Sequence, residues 1–143
     1  MSKSDTFEND FLKLIFNGTA ITGLADNAAA SPVTTLYLAL HTADPGEDGV
    51  QNTNEVAYTG YARVAVARNG TGWVVTGNSV SPAAAVEFGE MTAGTPSTAT
   101  YATIGTASTG TGKVLYRGAL TPNISINVGV VPRIRNTSTI TED

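Results

Sequence analysis

The chain has 143 residues, enough for one domain with a hydrophobic core, and only 14% of them are charged. Its eight Lys and Arg residues are scattered and its net charge is −4, which argues against nucleic acid or an anionic membrane as partner. It has no cysteine, so a disulfide framework, a thiolate nucleophile and a cysteine zinc site are all excluded.

The N-terminal stretch does not have the pattern of a signal peptide, because acidic residues interrupt its apolar positions. No segment of the sequence stays apolar over the length of a membrane span. We therefore expect the chain to be made and kept in the cytoplasm of the cell that synthesises it.

The first predicted element is a helix within SDTFENDFLKLIFNG, residues 4–18. The apolar side chains that recur there at helical spacing are Phe7, Phe11, Leu14 and Ile15. Asp5 is the predicted N-cap with Glu8 as its capping-box partner, and Gly18 is the predicted stop. The apolar face packs either on the chain's own core, which we favour, or on a neighbouring subunit.

After the helix, the hydrophobic pattern changes to period two, which is typical of strands. The predicted strands cover 33–40, 61–68, 72–77, 83–89, 98–105, 113–120 and a last alternating run over 124–134. In the first of them Leu36, Leu38 and Leu40 share one face. Prolines cannot donate to a ladder, so we expect strand starts or edges at Pro82, Pro122 and Pro132.

Short strands separated by Gly, Pro, Asn and Ser, without alternating helices, predict a mainly β fold. The expected architecture is an antiparallel β-sandwich, jelly-roll-like, with one N-terminal α-helix. Residues 1–20 would form the helix and arm, and residues 21–143 the β-sandwich of what is a single domain overall.

The longest predicted connection, residues 42–58, follows the only histidine, His41, and is rich in acids. One histidine with Asp44, Glu47 and Asp48 falls short of a zinc ligand set, and the spacing is not that of an EF-hand. The tripeptide that begins at Asp44, Asp-Pro-Gly, is instead typical of a turn. We therefore predict that His41 ends a strand and that no metal or cofactor binds.

No other motif predicts catalysis. TGTGK at 109–113 lacks the remainder of a phosphate loop and is better read as a hairpin loop. No G-x-S-x-G occurs, and a single histidine would have to serve any triad. A catalytic pair of carboxylates is formed by the folded chain and has no sequence motif. Glu87 and Glu90 therefore stay open as catalytic residues of a hydrolase. We expect no catalytic residues.

Aromatic residues offer one further possibility, a sugar-binding platform. The residues concerned are Trp73, Tyr58, Tyr61, Tyr101 and Tyr116. More often such side chains belong to the core or anchor an interface, and we favour that interpretation.

Four segments carry a resemblance to known proteins: "LADNAAASPVTTLYLALHTADPGEDG", "TNEVAYTGYARVAVAR", "GWVVTGNSVSPAAAVEF" and "GKVLYRGALTPNISI". They resemble a family of small tailed-bacteriophage structural proteins, whose members are often labelled phage tail fibre proteins. The resemblance extends from the N-terminal helix to the terminal ITED, which is essentially the whole chain. Proteins of this size and composition also resemble the cement, or decoration, proteins of capsid shells.

The resemblance implies a non-enzymatic virion structural protein. A compact domain without repeats or a coiled coil favours a decoration protein that binds the outer capsid lattice and stabilises the shell. Its partners would be the major capsid protein and further copies of itself, as a dimer or trimer. It would be made in the host bacterial cytoplasm and end on the capsid exterior. The first alternative is a tail, neck or head fibre subunit involved in attachment, and the second is a hydrolase of host polysaccharide.

Two parts of the chain are the expected interfaces: the N-terminal arm and the 42–58 loop. The residues that we expect to make these contacts are Phe7, Phe11, Ile15, Asp44, Glu47, Asp48 and Tyr58. The alternative for both parts is a frayed terminus and a mobile loop.

Overall fold

The computed structural model describes residues 3–25 and 31–142. It confirms the predicted class, a mainly β protein with antiparallel sheets and one N-terminal helix. The jelly-roll arrangement stays a prediction. The helical elements are α1 (Asp5–Leu12) and a π-helical turn (Lys13–Asn17). The strands are β1 (Thr35–His41), β2 (Val64–Ala67), β3 (Trp73–Thr76), β4 (Ser79–Pro82), β5 (Val86–Glu87), β6 (Ser97–Gly105), β7 (Val114–Ile126), β8 (Arg133–Ile134) and β9 (Ile140–Thr141).

The chain forms two compact units from interleaved segments. The first unit comprises Met1–Thr35, Val66–Val86 and Ile134–Asp143, and the second comprises Leu36–Ala65 and Glu87–Arg133. The division into residues 1–20 and 21–143 stays a prediction. Among the described residues, no helix is both long and apolar enough to cross a membrane.

Helix α1 begins one residue earlier than expected. Ser4 is its N-cap, and the Ser4 side chain accepts a hydrogen bond of 3.4 Å from the backbone N–H of Phe7. The prediction of Asp5 as N-cap with Glu8 as capping-box partner is wrong, because Asp5 is already the first helical residue. Serine competes well for this position since its hydroxyl accepts from the orphan N–H groups of the first turn.

The buried face of the helix also differs from the predicted one. Leu12 and Phe16 are fully buried, and Glu8 joins them in the same row at spacings of four. Of the predicted apolar face, Phe7 is 39% exposed, and Phe11, Leu14 and Ile15 are half-buried. The predicted stop is confirmed, because Gly18 is the C-cap with a left-handed φ of 68°.

The first unit contains the three-stranded sheet β3-β4-β9. Trp73 of β3 is 1% exposed and packs on Phe16, with ring centroids 4.8 Å apart. Strand β4 was absent from the prediction because its sequence, SVSP, has little β propensity. It is specified by a two-residue Gly77-Asn78 hairpin that places Thr76 opposite Ser79.

Arg68 secures the C-terminal end of the helical segment. Its guanidinium donates to the carbonyls of Ile15 at 2.6 Å, Leu14 at 2.5 Å and Val33 at 2.9 Å. The last carbonyls of a helix lack intrahelical partners and carry partial negative charge, so a cation stabilises them.

Most of the four-stranded sheet, in the order β2-β1-β6-β7, lies in the second unit. In β1 the leucines Leu36, Leu38 and Leu40 are all buried, which confirms their assignment to a core face. The opposite face of β1 is buried as well at Ala39 and His41, because the loop that follows the strand folds back over it.

The C-terminal strands differ from the prediction in their boundaries. β7 is one strand of 13 residues that runs through the cis Thr121–Pro122 bond and ends at Ile126. The run predicted to continue to residue 134 is interrupted by a turn, in which Val130 N–H donates to the Asn127 carbonyl at 2.9 Å. Gly129 occupies that turn with a φ of 88°, which favours glycine. Pro122 does lie on an edge strand, as expected.

Candidate functional site

The 42–58 loop is folded onto the sheet of the second unit around His41. His41 is the last residue of β1, as predicted, and its side chain is fully buried. Its Nδ1 lies 2.8 Å from the Thr53 carbonyl, which can only accept, so Nδ1 donates. Its Nε2 lies 2.9 Å from Thr103 Oγ1 and accepts from that hydroxyl in the neutral ring. Burial lowers the pKa of His41, which keeps the ring neutral and structural.

The predicted Asp-Pro-Gly turn is present. Asp44 Oδ1 accepts a hydrogen bond of 2.9 Å from the backbone N–H of Gly46. Gly46 has a φ of 79°, the left-handed value that the turn requires. Asn54 closes the loop by donating to the Asp44 carbonyl at 3.0 Å.

The side chain of Gln51 accounts for the glycines at positions 105 and 112, to which sequence reasoning assigned no role. Its side chain is fully buried, and its Oε1 accepts from the backbone N–H of Ala107 at 2.8 Å. A Cβ added to Gly105 would lie 2.1 Å from Gln51 Cδ. One added to Gly112 would lie 1.9 Å from Gln51 Oε1. The glycine-rich segment before β7 therefore makes room for an amide side chain.

A buried ion pair connects the same loop to the segment before β7. Arg63, with a side chain only 2% exposed, donates from Nε and Nη2 to the two carboxylate oxygens of Glu55, each at 2.8 Å. The guanidinium also donates to the carbonyls of Ala107 at 2.9 Å and Gly110 at 2.7 Å. The hydrogen bond with Glu55 raises the pKa of Arg63.

Tyr61 completes this network. Its hydroxyl donates to Glu55 Oε1 at 2.8 Å and accepts from the backbone N–H of Leu40 at 3.1 Å. Burial raises the pKa of the phenol, so Tyr61 stays neutral. Residues of β1, the 42–58 loop and the segment before β7 are thus held by one hydrogen-bond network, in which the bonds to Glu55 and from Arg63 are charge-assisted.

Residues of the network line an open groove of about 620 Å³ in the second unit. Tyr58 and Tyr61, with ring centroids 5.3 Å apart, belong to its lining. Segment 108–110 lines it as well. The Tyr58 hydroxyl donates to the Gly89 carbonyl at 2.8 Å, and burial raises its pKa. The groove lining thus combines two tyrosines, further hydroxyl side chains and the Glu55–Arg63 ion pair.

Two of the predicted interface acids form ion pairs with the same arginine side chain. Arg117 Nη1 lies 2.7 Å from Asp44 Oδ2, and Arg117 Nη2 lies 3.5 Å from Glu47 Oε1. Asp48 is exposed. Across residues 3–25 and 31–142, no cluster of three or more His, Cys, Asp or Glu residues could hold a metal ion.

The other predicted interface residues lie apart from these acids. Phe7, Phe11 and Ile15 belong to the first unit, where the Phe7 and Phe11 ring centroids are 6.4 Å apart. Tyr58 lies in the second unit and lines the groove. Whether any of these residues contacts another protein stays a prediction.

The aromatic residues considered for a sugar-binding platform lie in different parts of the fold. Trp73 is buried against Phe16 in the first unit, so it has no open ring face for a sugar. Tyr58 and Tyr61 do line the groove. Sequence reasoning missed Glu55 and Arg63 beside them, because the two residues are eight positions apart across a turn and match no motif.

The acids left open for a hydrolase lie near β5. Glu87 of β5 forms an ion pair with Arg133 of β8, and both side chains are about half exposed. Glu90 is exposed.

Comparison with known proteins identifies a family. The sequence matches the model of the family described as "Podophage GP4 fiber I protein gp80" over residues 2–141. No curated protein matches the sequence.

Proposed function

The chain belongs to the podophage GP4 fiber I protein gp80 family and is a phage virion structural protein, and on that premise we propose that it is a non-enzymatic subunit of a virion fibre. The match over residues 2–141 carries the proposal, because it spans both compact units. The function is binding: several copies associate with one another, as a dimer or trimer, and with neighbouring virion proteins.

The groove in the second unit supports a binding role. Part of its lining is fixed by Arg63, which makes two hydrogen bonds to Glu55 and two to backbone carbonyls. Its lining includes small exposed residues, among them Ala57, Thr59 and Thr109. A preorganised surface loses little conformational entropy when a partner docks, which favours a stable contact. We place the contact of Tyr58 with another virion protein in this groove.

Capsid decoration is the second candidate. It is favoured by the short helical segment, since α1 and the π-helical turn span only Asp5–Asn17 and the described residues contain no longer helix. A coiled-coil shaft, common in elongated fibres, would need several heptads. In this role the partner is the major capsid protein and the location is the capsid exterior. The family description is the reason for placing the fibre role first.

Labelling of intact particles tests the choice between the two roles. Fab fragments raised against the purified protein and coupled to gold would be bound to virions and viewed by electron microscopy. The fibre role predicts gold at fibres of the tail or neck. Gold distributed over the shell would contradict it and support decoration.

A further inference from the structure

The tripeptide Asn-Gly-Thr occurs twice in the chain, at residues 17–19 and at residues 69–71. In such a sequence the backbone nitrogen of the glycine can attack the side-chain amide of the asparagine before it, because glycine has no Cβ to hinder the approach. The two tripeptides are identical and both belong to the first unit. A difference in their reactivity is therefore set by the folded structure around each of them.

The folded chain holds the first of these sites closed. Asn17 is the last residue of the π-helical turn, and its side-chain oxygen Oδ1 is buried. The backbone N–H of Gly18, which would have to attack, donates to the carbonyl of Lys13. The guanidinium of Arg68 holds the same end of the helical segment through two further carbonyls. Asn17 can therefore react only when this end of the helical segment opens locally.

The second site is open. Asn69 and Gly70 are exposed and lie in the turn between β2 and β3. In the part of the chain that the structure describes, the backbone N–H of Gly70 makes no hydrogen bond. A Cβ added to Gly70 would meet nothing within 4 Å. Among the described residues, neither a hydrogen bond nor crowding thus has to be removed before this nitrogen reacts.

Three donors orient the side chain of Asn69. Its Oδ1 accepts from the backbone N–H of Thr71 at 2.9 Å, from the Thr71 hydroxyl at 2.7 Å and from the backbone N–H of Gly72 at 3.2 Å. Backbone N–H groups can only donate, which identifies the acceptor as the oxygen of the amide and not its nitrogen. Attack at the adjacent carbon, Cγ, places negative charge on this oxygen, where preorganised donors stabilise it.

We propose that Asn69 is a site of spontaneous deamidation in the folded protein and that Asn17 is protected. Hydroxide removes the backbone proton of Gly70, and the nitrogen forms a bond to Asn69 Cγ. The Cγ–Nδ2 bond then breaks, and Nδ2 leaves as ammonia with a proton from water, which restores the hydroxide. Water opens the resulting succinimide ring at one of its two C–N bonds. Opening at Cγ gives aspartate, and opening at the backbone carbonyl carbon gives isoaspartate.

Both products change the first unit. Each adds one carboxylate to a chain whose net charge is already −4. In the isoaspartate form the backbone runs through Cγ and is longer by one carbon. The backbone carbonyl of Asn69, which accepts from the N–H groups of Gly72 and Trp73 at 3.1 Å each, then belongs to a side group. The turn that leads into β3 is altered as a result. The site takes no part in the proposed function.

Timed incubation of the full-length protein at mildly alkaline pH tests the proposal, with deamidation at each asparagine measured by site-resolved mass spectrometry. In the folded protein we expect Asn69 to convert at least about tenfold faster than Asn17, because Asn17 reacts only from locally opened states. In concentrated urea the two identical tripeptides should convert at similar rates. Equal rates in the folded protein, faster conversion at Asn17, or no conversion at Asn69 over a period in which it converts in urea would overturn the proposal.

Two variants test the assigned groups. Gly70→Ala should slow the conversion of Asn69 by about tenfold, because the added methyl group hinders the attacking nitrogen. The fold should tolerate this change, since the φ of Gly70 is outside the left-handed region and the space is open. Thr71→Val removes one of the three donors and should slow the conversion more in the folded protein than in urea.

Thermal unfolding followed by circular dichroism reports whether each variant is folded. An unchanged rate in Gly70→Ala would exclude attack by the Gly70 nitrogen and overturn the proposal. Equal slowing of Thr71→Val in the folded protein and in urea would overturn the part assigned to the donors. If a variant does not fold, the comparison of Asn69 with Asn17 in the wild type decides.

Discussion

Glu55 and Arg63 form a two-pronged ion pair, in which Nε and Nη2 of the guanidinium each lie 2.8 Å from one carboxylate oxygen. The same guanidinium binds the carbonyls of Ala107 and Gly110. One buried cation therefore fixes the 42–58 loop, the segment before β7 and part of the groove lining. The binding surface that we propose depends on this pair.

Arg63→Ala should destabilise the protein by about 3 kcal/mol, because it leaves the Glu55 carboxylate without its cation in a largely buried place. Urea unfolding followed by circular dichroism measures the change. Arg135→Ala is the control, since Arg135 is exposed and its loss should cost less than about 0.5 kcal/mol. Equal effects of the two substitutions would contradict the structural role of the pair.

The buried His41 predicts a pH dependence of stability. Burial lowers its folded-state pKa below the ordinary value of 6.5, so the unfolded chain takes up a proton before the folded one does. The contribution of His41 is thus fully present above about pH 6.5 and is lost as the pH falls from there through the folded pKa.

Urea unfolding of the wild type and His41→Gln at pH 7.5 and at pH 5.5, values chosen to bracket that pKa of 6.5, isolates this contribution. We expect the free-energy difference between the two proteins to shrink at the lower pH. A difference that grows at lower pH would mean that the folded protein stabilises the imidazolium.

Gly105→Ala should cost roughly 1–3 kcal/mol, because the added methyl group would overlap the buried Gln51 side chain. The three nearest atoms to such a Cβ all belong to Gln51. In a Gln51→Ala background the same substitution should therefore cost much less. A double-mutant cycle on unfolding free energies measures this coupling, and strictly additive costs would refute it.

Thr109→Arg should prevent incorporation of the protein into virions while leaving it folded, because Thr109 is exposed and lines the groove. Thr137→Arg places the same side chain at an exposed position that does not line the groove and should be incorporated normally. Immunoblots of purified particles compare the two variants. Normal incorporation of Thr109→Arg would show that the groove makes no contact that assembly requires.

Alternation in the sequence was enough to predict β1 and its leucine face, because Leu36, Leu38 and Leu40 are buried along the whole strand. The helix face was not predictable in the same way. The π-helical turn at Lys13–Asn17 changes the phase of the residues, and the polar Glu8 lies in the buried row. The spacing of hydrophobic residues along the chain predicts neither feature.

The candidate site was largely beyond sequence reasoning. The turn at Asp44 and Gly46 was predictable, because turn formation depends on the local sequence. Gln51 and Gly112, or Arg63 and Glu55, become partners only after distant segments fold together. Burial in the folded chain gives such a pair of residues its structural role.

The location of the protein in the particle tests the central claim most directly. Heads and tails of the phage that encodes this chain would be separated, and the protein quantified in each fraction by mass spectrometry against the major capsid protein. The fibre role predicts a few copies per particle, recovered with tails or necks. Copies in the heads at a fixed ratio to the major capsid protein would contradict that role and establish capsid decoration.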